Sequence, residues 1–133
     1  MIANADRATM RQAARLAAAR AYAPYSKFRV GAAVLTDKGV IHAGCNVENA
    51  SYGLTNCAER SAIFAAVSQL GAAQIRLRAV AVVNDQSVAC SPCGACRQVM
   101  AEFSNPEMVV FYLGANGMVQ KTMRELLPDS FSL

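Results

Sequence analysis

The chain has 133 residues, 54% of them apolar and 17% charged, with a formal net charge of +4. That length suits a single domain, 1–133, able to bury a core without staples. No apolar run approaches the roughly 20 residues of a membrane span, and arginines recur through the first twenty residues where a secretory leader needs an unbroken apolar block. The expected compartment is the cytoplasm, where five cysteines read as metal or catalytic ligands before disulfides.

Asp6 to Tyr22 is Ala-rich, with Met10, Ala13, Ala14, Leu16, Ala17 and Ala21 at helical spacing. Arg7, Arg11 and Arg15 form a stripe on that helix, without interleaved aromatics or a groove-reading motif. It reads as a solvated face, and no nucleic-acid partner is expected. Ala23-Pro24-Tyr25-Ser26 ends the helix. Arg29–Thr36 and Val40–Cys45 read as strands around the turn Asp37-Lys38-Gly39. A polar loop, Asn46–Asn56, leads to a helix over Cys57–Leu70, expected to bury Ile63, Phe64, Val67 and Leu70 and to stop at Gly71. Leu77–Val83 is an apolar strand expected to be buried on both faces. Pro92 opens a helix running to Phe103. Met108–Leu113 and Met118–Lys121 are strands joined by Gly114-Ala115-Asn116-Gly117, a connection too short for a parallel crossover, so they should pair antiparallel. Thr122-Met123-Arg124-Glu125 has capping-box form before a last short helix. The order α-β-β-α-β-α-β-β-α implies an α/β fold with a mixed sheet covered on both faces.

The chemistry is concentrated in Cys57-Ala58-Glu59 and, 36 residues after Cys57, Pro92-Cys93-Gly94-Ala95-Cys96. Cys57, Cys93 and Cys96 supply three thiolates at predicted helix starts, where free N–H groups and the helix dipole favour the thiolate. A catalytic zinc site keeps one position open, and Glu59 stands where an acid–base group would serve it. Three thiolates around Zn²⁺ leave the site anionic, which weakens the ion as a Lewis acid. Arg60, and Gln98 as a further donor, are the candidates to draw electron density from the sulfurs. A structural zinc site would instead need a fourth protein ligand from His42, Cys45 or Cys90. A redox Cys-x-x-Cys would account for neither Cys57 nor Glu59.

These segments resemble the small, all-cysteine, homotetrameric cytidine deaminases. The resemblance runs from Tyr22-Ala23-Pro24-Tyr25-Ser26-Lys27-Phe28-Arg29-Val30-Gly31 through Gly44-Cys45-Asn46-Val47-Glu48-Asn49-Ala50-Ser51-Tyr52, Asn56-Cys57-Ala58-Glu59-Arg60 and Ser91-Pro92-Cys93-Gly94-Ala95-Cys96-Arg97-Gln98 to Leu126-Leu127-Pro128. It implies a three-layer α-β-α fold with a five-stranded mixed sheet, one zinc ion per chain and a homotetramer. The implied reaction is hydrolytic deamination of cytidine and 2′-deoxycytidine to uridine and 2′-deoxyuridine, in pyrimidine salvage, with Glu59 moving the protons. It further implies that Asn46 and Glu48 hold the ribose 3′-hydroxyl and that Phe28 packs on the pyrimidine. Ala50 and Tyr52 would line the site across a subunit contact, the backbone at Ala58 would read the base edge, and Phe131 would reach a neighbouring subunit's pocket. Arg60 would hydrogen-bond the metal's thiolates. The alternatives are a deaminase of a cytosine nucleoside antibiotic such as blasticidin S and, in another class, a zinc-stabilised interaction protein.

Overall fold

The computed structural model describes all 133 residues. The expected element order is found: α1 (Asn4–Ala18), β1 (Val30–Thr36), β2 (Ile41–Cys45), α2 (Ala58–Leu70), β3 (Leu77–Asn84), α3 (Gly94–Glu102), β4 (Val109–Gly114), β5 (Gly117–Thr122) and α4 (Met123–Leu126). Two short 3-10 turns, Tyr52–Leu54 and Ala72–Gln74, are added to it. The five strands form one sheet in the order β2-β1-β3-β4-β5. β1 is antiparallel to both β2 and β3, β3 is parallel to β4, and β4 is antiparallel to β5. It follows that β2, β3 and β4 point the same way. The helices α2 and α3, which leave β2 and β3, therefore both start at the carboxyl end of the sheet.

Side chains alternate between two cores, as the strand period requires. Ala33, Leu35, Ala79, Ala81 and Phe111 face α1, where Met10 and Ala14 cover them. Val30, Ala32, Val34, Val80, Val82 and Val110 face the larger core with Ile63 from α2, Met100 from α3 and Met123 from α4. β3 is buried at Ala79–Val82, but Arg78 is exposed within it, so it is not buried along its whole length.

Both long helices pack closer to the sheet than their large side chains suggest. A Cβ built on Gly31 would stand 1.8 Å from the Ala14 carbonyl oxygen of α1, and one on Gly44 would stand 2.4 Å from the Ala62 nitrogen of α2. At such contact only small residues fit between helix and strand. The inward face of α2 is accordingly Ala58, Glu59, Ala62, Ile63 and Ala66. Val67 and Leu70 pack at its margin. Phe64, expected inside, is turned out and 49% exposed. In α1 the buried stripe is Met10, Ala14 and Ala18, and Leu16 is exposed. That helix also ends four residues sooner than expected, because Tyr22 leaves it to pair with Val47. Arg7 is not simply solvated: its guanidinium lies 4.7 Å from the centre of the Phe111 ring and donates to Gln120 Oε1 at 3.0 Å.

The two turns follow their chemistry. Gly39 (φ 82°) and Gly117 (φ 110°) take the left-handed backbone that hairpin turns need. Thr122 and Glu125 make the reciprocal capping box that starts α4. No helix is long and apolar enough to cross a membrane. Gly31→Ala is expected to lower unfolding stability by about 3 kcal/mol or more, since the added methyl meets backbone that cannot yield. Gly53→Ala, with open space around the new Cβ, should stay within about 1 kcal/mol. Urea denaturation of the two variants checks the contrast.

Candidate metal centre and active site

Two helix beginnings meet on the inner side of the large core. Cys57 is the N-cap of α2 and Cys93 the N-cap of α3, with Cys96 in the first turn of α3. The Cys57 and Cys93 sulfurs are 3.8 Å apart, those of Cys93 and Cys96 3.4 Å, and all three lie within 4.8 Å of one another. A tetrahedral zinc with bonds of about 2.3 Å needs sulfurs about 3.8 Å apart, so the trio fits that ion. His42, Cys45 and Cys90, the candidates for a fourth protein ligand, stand outside the group. The Cys96 N–H donates to Cys93 Sγ at 3.4 Å, one of the free amide groups of a helix start put to use on a sulfur.

The flanking charges are ordered along one turn of α2. Arg60 Nη2 donates to Cys57 Sγ at 3.3 Å, and its Nε is buried without a partner. Hydrogen bonds from Cys96, Arg60 and Cys93 draw the Cys57 thiol down to about 5, while Cys96, which donates to that thiolate, is held well above the ordinary thiol range. The hydrogen bond to Cys57 raises Arg60 further. Glu59 is 4% exposed. Burial pushes its carboxyl up to about 7, with the Cys57 thiolate adding to the rise and Arg60 opposing it.

The other expected site residues fall into four places. Phe28 is half-buried against the large core, and Asn46 and Glu48 are tied to its loop. Asn46 Oδ1 accepts from Val30 N at 2.8 Å, and its Nδ2 donates to the Phe28 carbonyl at 2.8 Å. Glu48 Oε1 accepts from the Tyr25 and Ser26 amides at 2.9 and 3.1 Å, and the Ser26 hydroxyl donates to Oε2. These bonds hold Glu48 below the usual carboxylate range, the Ser26 hydroxyl first among them. Ala50 and Tyr52 lie in an exposed loop, where Tyr52 meets Tyr25 edge-on with ring centres 6.5 Å apart. Ala58 is buried in the first turn of α2. Gln98 makes no hydrogen bond to a thiol. Together with Ala101, Leu127 and Phe131 it lines a cavity of about 570 Å³ beneath the C-terminal tail, and Phe131 itself is 71% exposed there.

Known proteins are similar to this chain in sequence and fold. Residues 3–112 match the family model described as the cytidine and deoxycytidylate deaminase zinc-binding region. The chain belongs to the cytidine deaminase family. A cytidine deaminase of Sporosarcina psychrophila is 51% identical over 115 residues, 85% of this chain and 82% of that one. The cytidine deaminase of Mycobacterium tuberculosis H37Rv is 45% identical over 117 residues, covering 88% and 83%. The crystal structure of the cytidine deaminase from M. tuberculosis matches the fold with a TM-score of 0.83 at 44% identity, over 96% of this chain and 98% of that one. As a member of this family the chain is a zinc-dependent hydrolase, and the cysteine cluster has the donors to hold the ion.

Arg97 braces the cysteine loop, although its position in the motif assigned it nothing. Its Nε donates to the Pro92 carbonyl at 2.8 Å and its Nη1 to the Leu126 carbonyl at 3.0 Å, tying the cysteine loop to the end of α4. Only the second bond, across 29 residues, is long-range, and no local signal announces it. Arg97→Met keeps the aliphatic stem but removes two charge-assisted bonds, so a loss of about 2 kcal/mol is expected. Chemical denaturation of the variant, with zinc content measured in parallel, tests this.

Proposed function

We propose that this deaminase converts cytidine and 2′-deoxycytidine to uridine and 2′-deoxyuridine with release of ammonia, as a step of pyrimidine salvage in the cytoplasm. Residues 1–133 act as one catalytic domain, with Cys57, Cys93 and Cys96 holding one zinc ion. The observation that carries the reading is the cluster of three sulfurs within 4.8 Å, without a fourth protein donor, next to the buried carboxyl of Glu59. A closed structural site would have a fourth donor.

When bound, zinc supplies the Lewis acidity that makes water nucleophilic near neutral pH. Glu59 takes a proton from the attacking water, delivers it to N3 of the cytosine ring, and carries a proton to the departing amine as the C4–N bond breaks. It starts two residues after Cys57 on a buried helix turn, so it is held beside the thiols without being one of the donors. Arg60 draws electron density from the Cys57 sulfur. Phe28 packs on the base, the backbone at Ala58 reads the base edge, and Asn46 and Glu48 hold the 3′-hydroxyl of the sugar.

The site is open in a single chain: Cys93 is exposed, and Tyr52, Leu54 and Phe64 are 78%, 70% and 49% exposed. Exposed apolar side chains of this size favour coverage by neighbouring copies. In the homotetramer, Ala50, Tyr52 and Phe131 complete neighbouring sites. Light scattering should therefore return four times the 14.1 kDa chain mass.

Glu59→Gln is expected to keep zinc and the melting temperature while lowering kcat by at least about 10²-fold. Near-normal loss of cytidine ultraviolet absorbance by that variant would overturn its role. A chelator should abolish wild-type turnover, and X-ray absorption of the zinc form should give three sulfurs and one light atom. Four sulfurs would mean a structural centre. Faster turnover of blasticidin S than of cytidine would move the substrate assignment.

A further inference from the structure

Glu48 is nearly saturated before any substrate arrives. A carboxylate offers about four acceptor positions, two on each oxygen. Oε1 takes the Tyr25 and Ser26 amides, and Oε2 takes the Ser26 hydroxyl. One acceptor position remains, and it is on Oε2. Asn46 is used in the same way: with Oδ1 on Val30 N and one Nδ2 hydrogen on the Phe28 carbonyl, one N–H is left. The free acceptor on Glu48 Oε2 and the free N–H of Asn46 can together serve a single hydroxyl group.

Only Ser26 among these partners touches Oε2, and its polarity is fixed. Its Oγ accepts from Phe28 N at 3.0 Å, so its own hydrogen is left for Glu48. The loop between them turns through Lys27 at φ 59°, a backbone region unusual for a side chain larger than glycine. Two amides hold one carboxylate oxygen in place. The plane of the carboxylate, and with it the direction of the last lone pair, is set by the third bond.

We propose that Ser26 is a positioning residue for sugar recognition, aiming Glu48 Oε2 at the one hydroxyl it can still receive. The inference rests on the reading that Glu48 meets the 3′-hydroxyl, and it adds a residue that does not itself touch the substrate. Loss of the Ser26 hydroxyl leaves Glu48 charged and still held at Oε1, but free to turn. The penalty then falls on substrates that donate to Oε2, and it appears in KM, because the sugar contact is remote from the C4–N bond.

The test compares cytidine with 3′-deoxycytidine, using wild type, Ser26→Ala and Ser26→Thr with their zinc loaded. Ser26→Ala should raise KM for cytidine about tenfold with kcat within about twofold, the size of one hydrogen bond to a charged group. On 3′-deoxycytidine, which has no hydroxyl for Oε2, KM should change by less than about twofold. Ser26→Thr, which keeps the hydroxyl, should restore most of the cytidine KM. Equal losses on both substrates would show a merely structural serine and overturn the proposal, as would an unchanged KM for cytidine. A wild type that does not discriminate between the two nucleosides would overturn the Glu48 reading itself, a failure visible before any variant is made.

Discussion

Everything at this site depends on two helices beginning at the same place. β2 and β3 run in the same direction with β1 reversed between them, and each is followed by a helix on the same face of the sheet. The chain therefore passes twice over the carboxyl edge of the sheet and twice starts a helix there. A helix start is the end that presents unpaired N–H groups and partial positive charge. Placing Cys57 and Cys93 at the two N-cap positions puts thiolates where the backbone favours negative charge. Cysteines from distant segments are thus brought within 4.8 Å of one another, able to hold one ion, in the crevice where open α/β sheets generally hold ligands.

Close packing keeps the two beginnings in register. The approach of α2 to Gly44 and of α1 to Gly31 leaves no slack between helix and sheet, and Arg97 ties the second cysteine loop to α4. The residues assigned to the substrate stand on a different footing. Phe28, Asn46 and Glu48 are fixed by hydrogen bonds across the 25–30 loop. Tyr52 and Phe131 are exposed. The metal frame is complete within one chain, whereas much of the remaining site is surface.

This division matches what could be read from the sequence. Cys57-Ala58-Glu59 and Cys93-Gly94-Ala95-Cys96 were legible because their geometry is local: each needs only a helix start, and spacing within one turn decides which side chains share a pocket. The antiparallel last hairpin was legible because a four-residue connection permits nothing else. The inward face of α2 was not. Periodicity favoured Phe64, but the helix sits so near Gly44 that alanines line the contact and the phenylalanine is turned out. In α1 the close contact is made by Ala14 and Ala18 against Gly31, and Leu16 lies outside it, exposed. Distance between layers is set by glycines on another element, and no window along the helix contains that information. Gln98 and Arg97 are adjacent, yet α3 directs one toward the tail cavity and the other to the Pro92 and Leu126 carbonyls.

In the proposed mechanism an acid works beside three sulfurs, and the order of charges along the first turn of α2 bears directly on that. A carboxyl buried next to thiolates resists ionisation twice over, from lost hydration and from like charge, and both act on Glu59. The Glu59 backbone N–H opposes the rise first, and Arg60, which sits on the next residue and donates to Cys57 Sγ, opposes it further. A proton carrier works best when neither of its states is strongly preferred. Here a backbone hydrogen bond to the carboxyl and a cation shared between a sulfur and an acid both oppose the rise, and that sharing uses Cys57, Glu59 and Arg60 within four successive residues at the start of α2.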